Sequence, residues 1–200
     1  MAIIVDKVQK RRDIALSCKE LIVINGIKDL TISQIAQTAG IGKGSLYDYF
    51  KNKDDIVFEI VDILVQEHNH IKEKKILEAT TTKEKVKFFF NFFYNDEDIE
   101  LRQLYKEFIS ITLASPDTTM IEYHTECFDN FYAWLESIIK DGIEKNELKP
   151  ISLKLAKGLF VFGDGMFIAS SVTNSIDDIQ KEIDDYIDAL FELMEVQTDA

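Results

Sequence analysis

Metal and acid–base chemistry can be tested first, because the side chains that perform it are few. Glu67 and His70 form one E-x-x-H step, the helical spacing that puts two ligands on one face of a di-iron bundle. Such a centre needs a second copy and two more glutamates from facing helices, and no second copy occurs. His68 and His70 are two apart and cannot share a helical face. Cys18 and Cys127 are widely separated and suggest neither a thiolate site nor a disulfide framework; they read as reduced core residues. Gly40, Gly42 and Gly44 before Ser45 lack the G-x-x-x-x-G-K-[ST] spacing of a phosphate loop and have no strand ahead of them. No nucleophile, base and orienter set is present. The expectation is no catalytic residue, no metal and no cofactor, with a helical-bundle enzyme kept only as an alternative.

Contact with a polyanion is better supported. The formal net charge of −13 argues against nucleic acid, because phosphate binding relies on cations. Its distribution reverses that argument. Up to Lys53 nine Lys or Arg face five acids, a surplus of +4, so the rest of the chain carries −17. A basic head on an acidic body suggests two tasks divided along the chain.

The elements that must position these groups are helical. Only two prolines occur, Pro116 and Pro150, and the apolar spacing follows a period near 3.6, with no alternating strand segments and no repeat. A first helix is predicted over about 8–25, with Ile14, Leu21 and Ile24 inward and Gly26 turning the chain after it. Thr31 and Gln34 form a T-x-x-Q capping box that opens a second helix through Ala39. Gly40-Ile41-Gly42 is the turn, and a short third helix from Lys43 to about Phe50 points Leu46 and Phe50 inward. Asn52 caps a fourth, with Asp54 and Asp55 in its first turn. About five more follow, over roughly 83–94, 98–114, 115–138 with Ser115 as cap, 152–172 and 176–196. No stretch approaches 18 uninterrupted apolar residues, and the apolar run of Met1 to Arg12 precedes its charges, the reverse of a secretion signal. A cytoplasmic location without membrane attachment is expected.

Two helices joined by a glycine turn, the second short and polar outside, make a helix-turn-helix, although the same glycines could simply punctuate a small bundle. The residues themselves favour the former. The run from Thr31 to Lys53, TISQIAQTAGIGKGSLYDYFKNK, closely resembles the signature of the TetR family of transcription regulators. It combines the capped helix, Ile35-Ala36, Ala39-Gly40, Lys43-Gly44-Ser45-Leu46-Tyr47, Tyr49-Phe50 and the following Lys in register. Gly42 stands where the family often has a hydroxyl cap, and Ile22 and Ile27 replace common phenylalanines.

The resemblance implies an all-α fold of about nine helices: an N-terminal three-helix helix-turn-helix DNA-binding domain over 1–53, then a C-terminal helical ligand-binding and dimerisation domain over 54–200. The partners it implies are a double-stranded DNA operator, a second copy of the chain as homodimer, and a small-molecule effector. Thr31 and Lys53 then suit phosphate clamping. Lys43, Gly44 and Ser45 begin the recognition helix, while Tyr47 and Tyr49 offer a hydroxyl to phosphate and a ring to a thymine methyl. Asp48 faces phosphate unfavourably; it accepts from a cytosine amino group, pairs with a lysine or points to solvent.

Nineteen of the 22 aromatic residues follow residue 56, more than ordinary packing requires. In the family such helices enclose an effector cavity, here with candidate walls Phe89, Phe92, Phe93, Tyr105 and Phe108. Tyr123, His124, Cys127, Phe131 and Trp134 on one later helix, with Met166, extend the set. Asp164 could attract a cation, so the expected effector is a small apolar or an aromatic, cationic one. Gly163 and Gly165 inside a helix imply close approach of another helix, in the family a symmetry mate. Leu155, Leu159, Phe162, Gly163, Ile179, Ile183, Tyr186, Leu190 and Leu193 are the expected dimer interface. A pure interaction protein without DNA binding is the remaining alternative.

Overall fold

Side-chain caps fix where several helices begin. In the computed structural model, which describes residues 6–114, 116 and 118–197, the Asp6 carboxylate accepts from the Val8 and Gln9 N–H groups and opens α1 (Lys7–Ser17). A break at Cys18 separates α1 from α2 (Lys19–Asp29). The Ser17 hydroxyl bonds back to the Ile14 carbonyl at 2.7 Å, competing with the helix ladder, and Cys18 leaves the helical region at φ −99°, ψ 0°. The sequence predicts one helix here. The break shifts the inward face, so Ile22 is buried where Ile24 was expected, and Ile24 is 79% exposed.

Gly26 takes φ 74° and turns the chain as predicted. There follow α3 (Ile32–Thr38), α4 (Lys43–Leu46), α5 (Lys53–Glu78) and α6 (Thr82–Phe90). Two 3₁₀ turns, Asn91–Phe93 and Asp96–Asp98, lead to α7 (Ile99–Ala114), α8 (Thr118–Glu144), α9 (Ser152–Val172) and α10 (Ile179–Met194). Among the described residues there are thus ten α-helices, the tenth arising from the break at Cys18. The Ser115 cap lies outside the described residues.

The helices gather into two compact units. One holds the described residues up to Asn69 together with those of Glu100–Pro116; the other holds His70–Ile99 and those after Pro116. The first unit is therefore larger than the helix-turn-helix ending at residue 53. Its core is Ile14, Ile22, Ile35, Leu46, Phe50, Ile56 and Ile60, all buried.

In the second unit α6 packs on α8 and α10, and α9 packs on α8 and α10. A T-x-x-E capping box, Thr81 with Glu84, opens α6. By length and composition α9 could cross a membrane, but Ala156, Leu159, Phe160, Gly163 and Phe167 are buried in this unit's core. A Cβ on Gly163 would stand 2.5 Å from the Phe90 ring and 2.8 Å from that of Phe93. Close approach at Gly163 is thus satisfied within the chain and not by a symmetry mate. Leu159 and Ile183 are likewise buried in the protomer, which corrects their assignment, with Gly163, to a dimer surface.

Candidate nucleic-acid interface

The Thr31 hydroxyl accepts the Gln34 N–H at 3.3 Å while the Gln34 amide oxygen accepts the Thr31 N–H at 2.9 Å, so the predicted capping box starts α3. Ile35 and Ala36 anchor its inner side. Gly40 at φ 66° reverses the chain, and Gly42, in extended conformation, precedes α4. The recognition helix is shorter than predicted. After Leu46 the N–H groups of Tyr47, Asp48 and Tyr49 donate three residues back, to Gly44, Ser45 and Leu46, so the last part is a tightened turn.

This geometry sorts the side chains. Leu46 and Phe50 are buried; Lys43, Gly44, Ser45, Tyr47 and Asp48 are exposed, Tyr47 by 56%, and Tyr49 is half-buried. One short segment therefore presents a cation, a hydroxyl and an aromatic ring on a buried apolar base.

The base has a second layer that sequence reasoning missed. Arg11 of α1 lies over the Phe50 ring, 4.5 Å from its centroid. Its guanidinium donates to the Tyr49 carbonyl at 2.9 Å, to Asp55 Oδ1 at 2.6 Å and to the Glu59 carboxylate. The hydrogen bond from Arg11 holds the Asp55 carboxyl below the usual carboxylate range, and Asp55 raises the Arg11 pKa in turn. The only signal in the sequence was a basic run.

Lys53 has a structural partner as well. Its ammonium donates to the Ile27 and Lys28 carbonyls at 3.1 and 3.2 Å, so two of its three donors hold the end of α2, just past the kink at Gly26. From the other side the Glu107 carboxylate of α7 accepts the Ile27 N–H at 2.7 Å. Burial pushes the Cys18 thiol pKa up, consistent with an inert core cysteine.

The expected effector residues divide. Tyr105 and Phe108 belong to the first unit, where Phe108 packs on Phe58 with centroids 6.0 Å apart. The second unit brings others together: Phe89 meets Trp134 edge-on at 5.5 Å, Phe92 meets Phe93 at 5.4 Å, and Phe93 meets Phe167 at 5.6 Å. Phe160, missed by the sequence reading, joins Phe89 at 6.2 Å and Phe128 at 4.9 Å. Tyr123, His124, Cys127 and Phe131 are half-buried on α8, and Asp164 and Met166 half-buried on α9. Of the expected dimer residues, Tyr186 and Leu193 are exposed, Phe162 stacks on Tyr186 at 3.8 Å, and Leu155, Ile179 and Leu190 are half-buried.

A capped helix, a glycine reversal and a short exposed helix on an apolar base define a helix-turn-helix DNA-binding protein. Residues 18–60 match the family model described as bacterial regulatory proteins, tetR family. The curated fatty acid metabolism regulator protein of Bacillus subtilis is 26% identical over 149 residues, 72% of this chain and 73% of that one. The fold is shared with a TetR-family transcriptional regulator from Cytophaga hutchinsonii, with a TM-score of 0.76 at 20% identity over 98% of this chain and 100% of that one. It is also shared with the transcriptional regulator FadR of Bacillus subtilis, solved in complex with stearoyl-CoA, with a TM-score of 0.65 at 22% identity over 90% and 96% of the two chains. Residues 18–60 thus carry the DNA-binding domain of the tetR family of bacterial regulatory proteins, and the chain is a DNA-binding transcription regulator.

Proposed function

We propose that the chain is a homodimeric repressor that binds a palindromic operator and is released by a small apolar effector, acting in the cytoplasm where its DNA is. The observation that carries the reading is the exposure of Lys43, Ser45 and Tyr47 around the buried Leu46 and Phe50. In this reading Lys43 and Ser45 meet base edges or phosphate, Gly44 admits close backbone approach, and Tyr47 and Tyr49 contact phosphate and thymine methyl. Thr31 at the start of α3 contacts phosphate, and Lys53 offers its third donor.

A second copy supplies the two-fold symmetry. Gly158, Val161, Gly165, Ile168 and Val172 lie on the outer side of α9, three and four residues apart. On α10, Tyr186, Ala189 and Leu193 repeat the spacing. A helix face of this kind packs against its own copy as a four-helix arrangement, and the two small glycines allow close approach. Two recognition segments about 34 Å apart would then read an inverted repeat.

The aromatic cluster of the second unit suits an apolar ligand, and the relationship to a fatty acid metabolism regulator supports an acyl compound. Such a ligand lowers operator affinity by its preference for the state that does not bind DNA, and by no more. Sedimentation tests the dimer: a species of twice the 23.0 kDa chain mass is expected, alone and on operator DNA. One chain per operator would contradict the reading.

A further inference from the structure

Lys72 sits in the charged run Lys72-Glu73-Lys74-Lys75 of α5, four residues before the buried Ile76, yet it is only 5% exposed. Its ammonium donates to the Phe89 carbonyl at 2.8 Å and lies 5.8 and 5.6 Å from the ring centroids of Phe89 and Phe92. Phe89 in turn meets Trp134 and Phe160. A buried ammonium thus stands at the edge of a continuous set of rings, all within the second unit.

Capping the end of α6 does not require this burial, because a lysine can reach terminal carbonyls with its head in water. The groups that act on it are few. Asp98, from the second 3₁₀ turn, favours the charge; Lys75, on α5 and paired with Glu97 at 3.1 Å, opposes it. Burial outweighs both and pushes the Lys72 pKa down to about 7. A cation kept from water among apolar rings complements a ligand that brings a negative head on an apolar tail, and it repels a lipophilic cation.

We propose that Lys72 is the head-group anchor of the effector site and that the effector is an acyl chain ending in negative charge, its head at Lys72 and its tail along the Phe89, Phe92 and Trp134 rings. This rests on the reading of the second unit as the effector-binding unit. The negative head is a free carboxylate or the thioester-linked phosphate carrier of an acyl-coenzyme A. Binding either one raises the Lys72 pKa and draws in a proton. Affinity is therefore level below about pH 7 and falls by up to about tenfold per pH unit above it.

Trp134 is the only tryptophan of the chain, so its fluorescence reports occupancy of the cluster. The native dimer is titrated with dodecanoate, dodecanoyl-coenzyme A, dodecanol and dodecyltrimethylammonium at several values between about pH 6 and 8.5. At least one anionic probe is expected to bind about tenfold or more tighter than dodecanol, with dodecyltrimethylammonium weakest and the anionic preference fading above pH 7. Which anionic probe binds tells the free acid from the coenzyme A derivative. Lys72→Met is expected to keep dodecanol binding and lose the preference. Equal affinity for anion and alcohol in the native protein, or a preference that survives Lys72→Met, overturns the anchor while leaving an apolar effector in place. Should Lys72→Met fail to fold by circular dichroism, the native pH series decides alone. No response to any of the four probes overturns the anchor and the acyl-effector reading together.

Discussion

The Glu107 carboxylate accepts the Ile27 backbone N–H at 2.7 Å and lies 2.8 Å from where a Cβ on Gly26 would stand. One acidic side chain of α7 thereby holds the kink at Gly26 near the end of α2, and the absence of a side chain at Gly26 makes room for it. Glu107→Ala leaves that N–H without its charged acceptor and is expected to destabilise the protein by about 1–3 kcal/mol in urea unfolding. Gly26→Ala should cost more, because φ 74° with ψ 171° is a backbone region essentially confined to glycine, which adds about 1–3 kcal/mol to the collision. Unfolding midpoints unchanged in both variants would remove Glu107 from this role.

Arg11 and Asp55 give the fold an acid-sensitive link. The Asp55 carboxyl is held low mainly by the hydrogen bond from Arg11, so the folded state prefers the ionised form. A folded pKa below the unfolded one contributes stability above the unfolded value, near 3.9, and that stability is lost as pH falls through the folded value. Arg11→Met is expected to cost roughly 1–2 kcal/mol at pH 7 after allowance for solvent screening. The gap between variant and wild type should narrow as pH falls below about 4. A gap independent of pH would assign the effect of Arg11 to its stacking on Phe50 alone.

The glycines of α9 separate core from surface. Gly163→Ala drives a Cβ into the Phe90 and Phe93 rings and should lower stability by about 1–3 kcal/mol. A Cβ at Gly165 meets nothing within 4 Å in the protomer, so Gly165→Ala should raise helix stability by about 0.5–1 kcal/mol. Gly165→Leu is expected to weaken the dimer in sedimentation while the helical content of the protomer stays intact. A dimer of unchanged affinity would move the proposed interface off this face.

On the DNA side Tyr47 and Lys43 should behave differently. Tyr47→Ala is expected to lower operator affinity by roughly ten- to a hundredfold with unchanged folding, because its ring is exposed and packs little of the core. Lys43→Met should weaken binding to all sequences and reduce the slope of log affinity against log salt by about 1. Filter binding across a salt series measures both. Wild-type affinity in Tyr47→Ala would show that α4 does not enter the groove in this orientation.

Much of the reading head was legible in the sequence, because its determinants are local. The Thr31–Gln34 box, the turn at Gly40 and the inward Leu46 and Phe50 follow from residues within a few positions of one another. The T-x-x-E box at Thr81 is as local as the one at Thr31 and is equally legible in the sequence. What escaped was non-local. Arg11 meets Asp55 44 residues away and Glu107 meets Ile27 80 residues away, and no periodicity encodes such pairs. Nothing in the sequence marks Lys72 as buried, because it stands in a run of charged residues. Gly163 could be read as a close-approach site, but whether the approaching group was Phe90 of the same chain or a second copy depended on tertiary packing. The break at Cys18 was hidden because Ser17 and Cys18 are each tolerable inside a helix.

The most direct test of the central claim is capture of fragmented genomic DNA from the source organism by the purified protein, with the retained fragments sequenced at moderate and at high salt. The account predicts that an inverted repeat is recovered at moderate salt, is lost at high salt, and is not recovered by Tyr47→Ala. Retention of no fragment above background by a folded dimer, or enrichment that Tyr47→Ala preserves, would contradict it.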